Sequence, residues 1–73
     1  MSTLDQLQVG EKMKVNNIQK NSPVRRKLLD MGITPGVELQ VTGRAPFGDP
    51  MEVLVRGYKL TLRKNEAMVV AGE

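Results

Sequence analysis

Residues 51–63 read MEVLVRGYKLTLR. Before Gly57, Met51, Val53 and Val55 alternate with Glu52, Leu54 and Arg56. After it, Tyr58, Leu60 and Leu62 alternate with Lys59, Thr61 and Arg63. A period of two is the pattern of a strand with one face turned to a core. A glycine between two such runs marks a hairpin. The same period extends upstream, where Val37, Leu39 and Val41 alternate with Glu38, Gln40 and Thr42. Lys12–Ile18 places Met13 and Val15 on one face, and Ala67–Ala71 reads as a short last strand. On this reading Tyr58, in phase with Leu60 and Leu62, belongs to the core, as do Met13 and Met51.

One segment departs from that period. Val24, Leu28 and Met31 recur at helical spacing, Ser22 is a good N-cap, and Pro23 fits the first helical position. Gly32 supplies a C′ stop from which Ile33 can fold back on the last turn. The spacing predicts a helix over about Pro23–Met31, followed by a tight Thr34-Pro35-Gly36 turn. The fold is therefore mainly β, with about five short strands and one short helix inserted after the first. In so short a chain this suggests a closed or partly open small barrel, because closure removes exposed strand edges. Leu4, Leu7 and Val9 form a lead-in segment expected to plug one end.

The chain has 73 residues, 11 Lys+Arg against 8 Asp+Glu, and a net charge of +3. That is one domain, expected to span 1–73, near the lower size limit for folding alone. Cys and His are absent. Disulfides, thiol nucleophiles, imidazole acid–base chemistry and zinc sites of Cys and His are excluded with them. The composition does not describe an enzyme. The start, Met1 to Gly10, carries Asp5 and no apolar run, so it does not read as a signal peptide. The apolar run at Ala67–Val70 falls far short of the roughly 20 residues a membrane span needs. A cytoplasmic protein with no membrane insertion is expected.

Two stretches stand out as candidate binding elements. Arg25, Arg26 and Lys27 lie on the outer face of the helix, in its first half, where the helix dipole disfavours cations. They read either as a solvated face or as a docking patch for an acidic partner. Leu29 lies about 140° from Val24 at roughly 100° per residue, off the apolar stripe. It is either covered by the barrel or exposed as an apolar anchor beside the two arginines. The loop Arg44-Ala45-Pro46-Phe47-Gly48-Asp49-Pro50 is stiffened by two prolines and carries the only Phe. Phe47 either tucks under the barrel mouth or serves recognition. No Gly-rich run leads into a Lys-bearing helix, so a phosphate cradle is not indicated. Asp49 with Glu52 is a poor ligand set for a hard cation. Arg56, Lys59 and Arg63 make a thin basic stripe, which keeps nucleic-acid binding as an alternative function. The shortage of aromatic residues argues against it.

The stretches RRKLLDMGITPGVELQV (25–41) and GRAPFGDPMEVLVRGYKLTLRKNEAMVV (43–70), with the lead-in LDQLQVGEKMKV (4–15), resemble the ferrous iron transport protein A family, the FeoA domain. The resemblance covers essentially the whole chain. It implies a small SH3-like barrel and a cytoplasmic accessory protein of bacterial ferrous iron uptake. The implied partner is the ferrous iron permease FeoB, which carries a cytosolic GTP-binding domain. Under that resemblance Arg25, Arg26, Leu29, Arg44, Phe47 and Asp49 are the expected partner-binding residues. Arg25, Arg26 and Arg44 are also the candidate arginine-finger donors. The resemblance carries an association with divalent metal, for which the residues offer no ligand cluster, and no cofactor is expected. Open strand edges leave a weak homodimer open.

Overall fold

The hairpin of residues 51–63 closes on two residues, Arg56 (φ 49°) and Gly57 (φ 87°). Positive φ at both central positions makes the type I′ turn, whose twist matches that of the flanking strands. The computed structural model describes residues 2–73, so Met1, where the expected domain begins, lies outside it. The hairpin strands are β4 (Met51–Val55) and β5 (Tyr58–Leu62). They join β1 (Ser2–Thr3), β2 (Lys12–Ile18), β3 (Glu38–Arg44) and β6 (Val70–Gly72) in one antiparallel sheet of order β1-β6-β2-β3-β4-β5. The register shifts between Val41 and Gly43 on β3 and between Val15 and Asn17 on β2. Such bulges bend a sheet.

The curled sheet encloses one core. Met13, Val15 and Ile18 of β2, Leu39 and Val41 of β3, Met51, Val53 and Val55 of β4, Leu62 and Val70 are all buried. Leu4, Leu28, Ile33, Val37 and Ala67 complete it from the connections. Burying a residue of this kind is worth about 1.5–3 kcal/mol. Leu4 sits on a single 3-10 turn, Leu4–Gln6, and does plug the core. Leu7 is half-buried, and Val9 is 57% exposed, so the plug ends before it.

The helix α1 runs Arg25–Asp30, shorter than the expected Pro23–Met31. The Ser22 hydroxyl accepts the Val24 N–H at 3.2 Å, and Arg25 N–H bonds the Ser22 carbonyl. Pro23 and Val24 are thereby spent in the entry turn. The exit follows the sequence closely. Gly32 takes φ +94°, its N–H bonds Leu29 O, and Ile33 N–H bonds Leu28 O. This is a Schellman ending, with Ile33 and Leu28 both in the core.

Two further expectations need correction. Ala67 is not in the last strand, because Lys64–Ala67 forms a second short helix, α2, and β6 begins at Val70. Tyr58 is not in the core but 42% exposed, at the start of an edge strand. Its hydroxyl donates to Met31 O at 2.7 Å and occupies the space that a Cβ on Gly32 would need. A phenol whose oxygen needs a partner settles at the rim, where it finds one.

Candidate functional site

α2 organises the end of the barrel that carries the candidate residues. Its N-terminus is held from two sides. The Glu66 carboxylate reaches back to accept the Arg63 N–H at 2.8 Å, and Asp49 Oδ1 accepts the Lys64 N–H at 2.9 Å. Glu66 Oε2 also meets Lys27 Nζ at 2.6 Å. α1 is thus tied to α2 through Lys27, and the loop of residues 45–50 is tied to α2 through Asp49. The helix residues and the loop residues expected to bind a partner flank α2 on either side.

Glu66 is the one buried charged residue among those described, at 5% exposure. Burial by itself raises its carboxyl pKa. The hydrogen bond from Lys27, the Arg63 N–H and the positive charges of both side chains outweigh that and hold it below the ordinary value. A depressed folded-state pKa contributes stability that is complete above the unfolded value of about 4.3. That contribution is lost as pH falls through the folded value. Glu66→Gln keeps an acceptor for Arg63 and loses the ion pair. It is expected to cost about 1 kcal/mol at neutral pH. In urea titrations the deficit should shrink toward zero on acidification, where Glu66 is itself neutral. A deficit independent of pH would assign the loss to packing.

The loop presents Phe47. Gly48 N–H bonds Ala45 O at 2.7 Å, closing a turn with Pro46 and Phe47 at its centre. Gly48 returns the chain with φ +84°. Ala45 N–H bonds Pro50 O at 3.0 Å across the base of the loop. Phe47 stands at the tip, 99% exposed, and not tucked under the mouth. Arg44 fastens this loop to the chain start. Its Nη2 donates to Asp5 O (2.5 Å) and Leu7 O (2.7 Å), and its Nη1 donates to Gly48 O (3.2 Å). The guanidinium is spent on carbonyls, which stiffens the loop that carries Phe47.

On α1, Arg26 is exposed and paired with Asp30 at 3.2 Å. Arg25 is half-buried, and its Nε has no hydrogen-bond partner among the described residues. Leu29 is half-buried against the core rather than free in solvent. Two residues here escaped the sequence reading. Met68, at the end of α2, is 52% exposed and lines a groove with Pro23, Val24 and Val69. Glu66 carried one signal that could have found it. Its spacing from Arg63 is that of the second half of a capping box.

A small pocket of about 160 Å³ lies under the loop, lined by Asp5, Arg44, Phe47, Asp49, Met51 and Lys64. Its donor set does not fit a divalent metal. The two carboxylates share it with a guanidinium and an ammonium, and Asp49 is already bonded to Lys64 N–H. Among the described residues no three Asp or Glu gather as ligands. No helix there is long and apolar enough to cross a membrane.

Residues 2–73 match the model of the FeoA domain. A FeoA-like protein from Clostridium acetobutylicum superposes with a TM-score of 0.94 at 44% identity, covering 99% of this chain and 84% of that one. FeoA of Stenotrophomonas maltophilia, solved with zinc and described as a prokaryotic SH3 domain protein, superposes at 0.86 and 27% identity. There the match covers all of this chain and 91% of the other, 100% and 91% respectively. A Porphyromonas gingivalis fusion of Fe(2+) transport protein A with the Fe(2+) transporter FeoB is 26% identical over 70 residues. That match takes in 96% of this chain and only 8% of the fusion protein.

Proposed function

We propose, because the chain belongs to the FeoA domain family, that it is a cytoplasmic, non-enzymatic accessory module of ferrous iron uptake that docks on a FeoB-type permease. The observation that carries this reading is the fusion relative, in which a similar domain shares one polypeptide with the transporter. A covalent link raises effective concentration to the millimolar range for short linkers, which selects partners that must meet. The surface offered is the α2 side of the barrel: Arg25 and Arg26 on α1, and Phe47 and Asp49 on the loop. It has an apolar anchor ringed by charges, the usual anatomy of an interface centre and rim. Leu29 and Arg44 support it from behind, Leu29 by packing α1 and Arg44 by holding the loop. Ferrous iron is the cargo of the system, and no resident metal is assigned to this chain.

Co-purification tests the proposal. The protein is expressed with the FeoB-type permease of the same organism, and a tag on the permease is pulled after gentle solubilisation. Retention is expected for the wild type. It should fall by about tenfold or more in Arg25→Glu/Arg26→Glu, where two rim charges are reversed. Absence of retention in every nucleotide state, with ferrous iron present, would overturn the docking role.

A further inference from the structure

β5 is an outermost strand, bonded to β4 on one side and, among the described residues, to no strand on the other. The hairpin geometry fixes which of its groups are free. A two-residue I′ turn is closed by a hydrogen-bonded pair, here Val55 and Tyr58. Bonded and non-bonded pairs alternate along an antiparallel ladder. The pairs Leu54–Lys59 and Glu52–Thr61 are therefore non-bonded. The N–H and C=O groups of Lys59 and Thr61 point away from the sheet, and no other backbone group bonds them among the described residues.

Both faces of that edge carry information. On one lie Tyr58, 42% exposed, and Leu60, half-buried. On the other lie Lys59 and Thr61, both exposed, with Arg56 and Arg63 at the ends. Glu52 reaches Lys59 at 3.7 Å, while neither Arg56 nor Arg63 has a carboxylate within 4.0 Å among the described residues. The edge is thus an open ladder with one apolar face and one cationic face.

We propose that the open edge of β5 is a strand-addition site for an extended segment of another protein that alternates acidic and apolar residues. The outward groups of Lys59 and Thr61 supply the main-chain bonds. The acidic positions of the added strand face Lys59 and the flanking arginines, and its apolar positions extend the Tyr58–Leu60 row. A second copy of this chain fits the same edge badly. Pairing β5 with itself about Leu60 sets each Lys59 opposite Thr61, so neither lysine meets a carboxylate. Centring on Lys59 sets Lys59 against Lys59, and centring on Thr61 sets Lys59 against Arg63. Like charges directly opposite destabilise a pair of strands. The inference is independent of docking on the permease, since it names a different edge of the barrel.

The test is a titration of isotope-labelled protein, followed by amide NMR, with two blocked hexapeptides, one alternating Val and Glu and the other Val and Lys. The Val/Glu peptide, taken to about 1 mM, is expected to saturate shifts centred on Lys59 and Thr61 and to slow exchange of their amides. High salt should weaken it, and the Val/Lys peptide should not bind. Thr61→Pro removes an outward N–H without touching the β4 ladder, so the fold should stand while binding falls about tenfold or more. Lys59→Gln, which leaves the backbone edge intact, should weaken the acidic peptide and not create binding of the basic one. The inference is overturned by absence of shifts, by equal response to both peptides, or by shifts that map away from β5. Undiminished binding in Thr61→Pro would overturn it as well. Peptide-free, concentration-dependent shifts at Lys59 and Thr61 would replace the foreign strand with a second copy.

Discussion

Gly72→Ala is expected to remove most of the protein's stability. Gly72 lies on β6, paired with Ser2 of β1 on one side and Val15 of β2 on the other. A Cβ there would overlap the Lys14 carbonyl oxygen and approach Met13 Cγ at 2.6 Å and Sδ at 2.9 Å. Met13 is 1% exposed and has little room to retreat. The Lys14 carbonyl is held by Glu73 N–H at 3.1 Å, so relieving the overlap means breaking the ladder. Overpacking of a well-packed core costs typically 1–3 kcal/mol, and displaced backbone adds to it, giving about 3 kcal/mol or more. A domain of this size commands only about 3–5 kcal/mol in total. Gly36→Ala is the matched comparison, because Gly36 has φ +94° but no atom within 4 Å of the added methyl. It should cost only about 1 kcal/mol, from backbone conformation alone. Urea midpoints and amide spectra of the two variants separate crowding from conformational strain. A near-normal midpoint for Gly72→Ala would mean that β6 can slide on β2.

Much of this architecture was legible because it is written at the period of the secondary structure. β2 was read to its ends, Lys12–Ile18, from Met13 and Val15 alone. The exit of α1 was read from Gly32 and Ile33, whose chemistry admits few alternatives. What escaped was whatever depends on a partner far along the chain. Tyr58 keeps the strand phase of Leu62, yet it lies where the edge strand passes Met31, and only the assembled fold reveals that carbonyl. α2 is four residues, too short to display a helical period, and it is held by Asp49 and Lys27 rather than by propensity. Ser2–Thr3 becomes a strand only because β6 arrives beside it. The candidate site was legible as residue types and not as geometry. Nothing in the sequence said that Arg44 would be spent on carbonyls, or that Leu29 would lean on the core while Phe47 stood free.

Phe47→Ala should separate binding from folding more cleanly than any other substitution. At 99% exposure the ring contributes almost nothing to the core, so the unfolding midpoint should stay within about 0.5 kcal/mol of wild type. An isolated exposed aromatic is common enough on protein surfaces. Phe47 differs in the effort spent on presenting it. Pro46 presets the turn, Gly48 adopts φ +84°, and Arg44 binds both the loop and the chain start through three carbonyls. A side chain held out on a stiff loop loses little entropy on binding, which is how an anchor achieves affinity from few atoms. Truncating such an anchor typically costs 2 kcal/mol or more, about a 30-fold loss of affinity for the permease. Phe47→Tyr keeps the ring and should keep most of the binding. The measurement is a binding isotherm against the solubilised permease for all three proteins, with unfolding curves run in parallel. If Phe47→Ala binds like wild type while Arg25→Glu/Arg26→Glu does not, the anchor lies on α1 and the loop is only its neighbour. If both bind unchanged, the permease contacts some face of the barrel other than the α2 side.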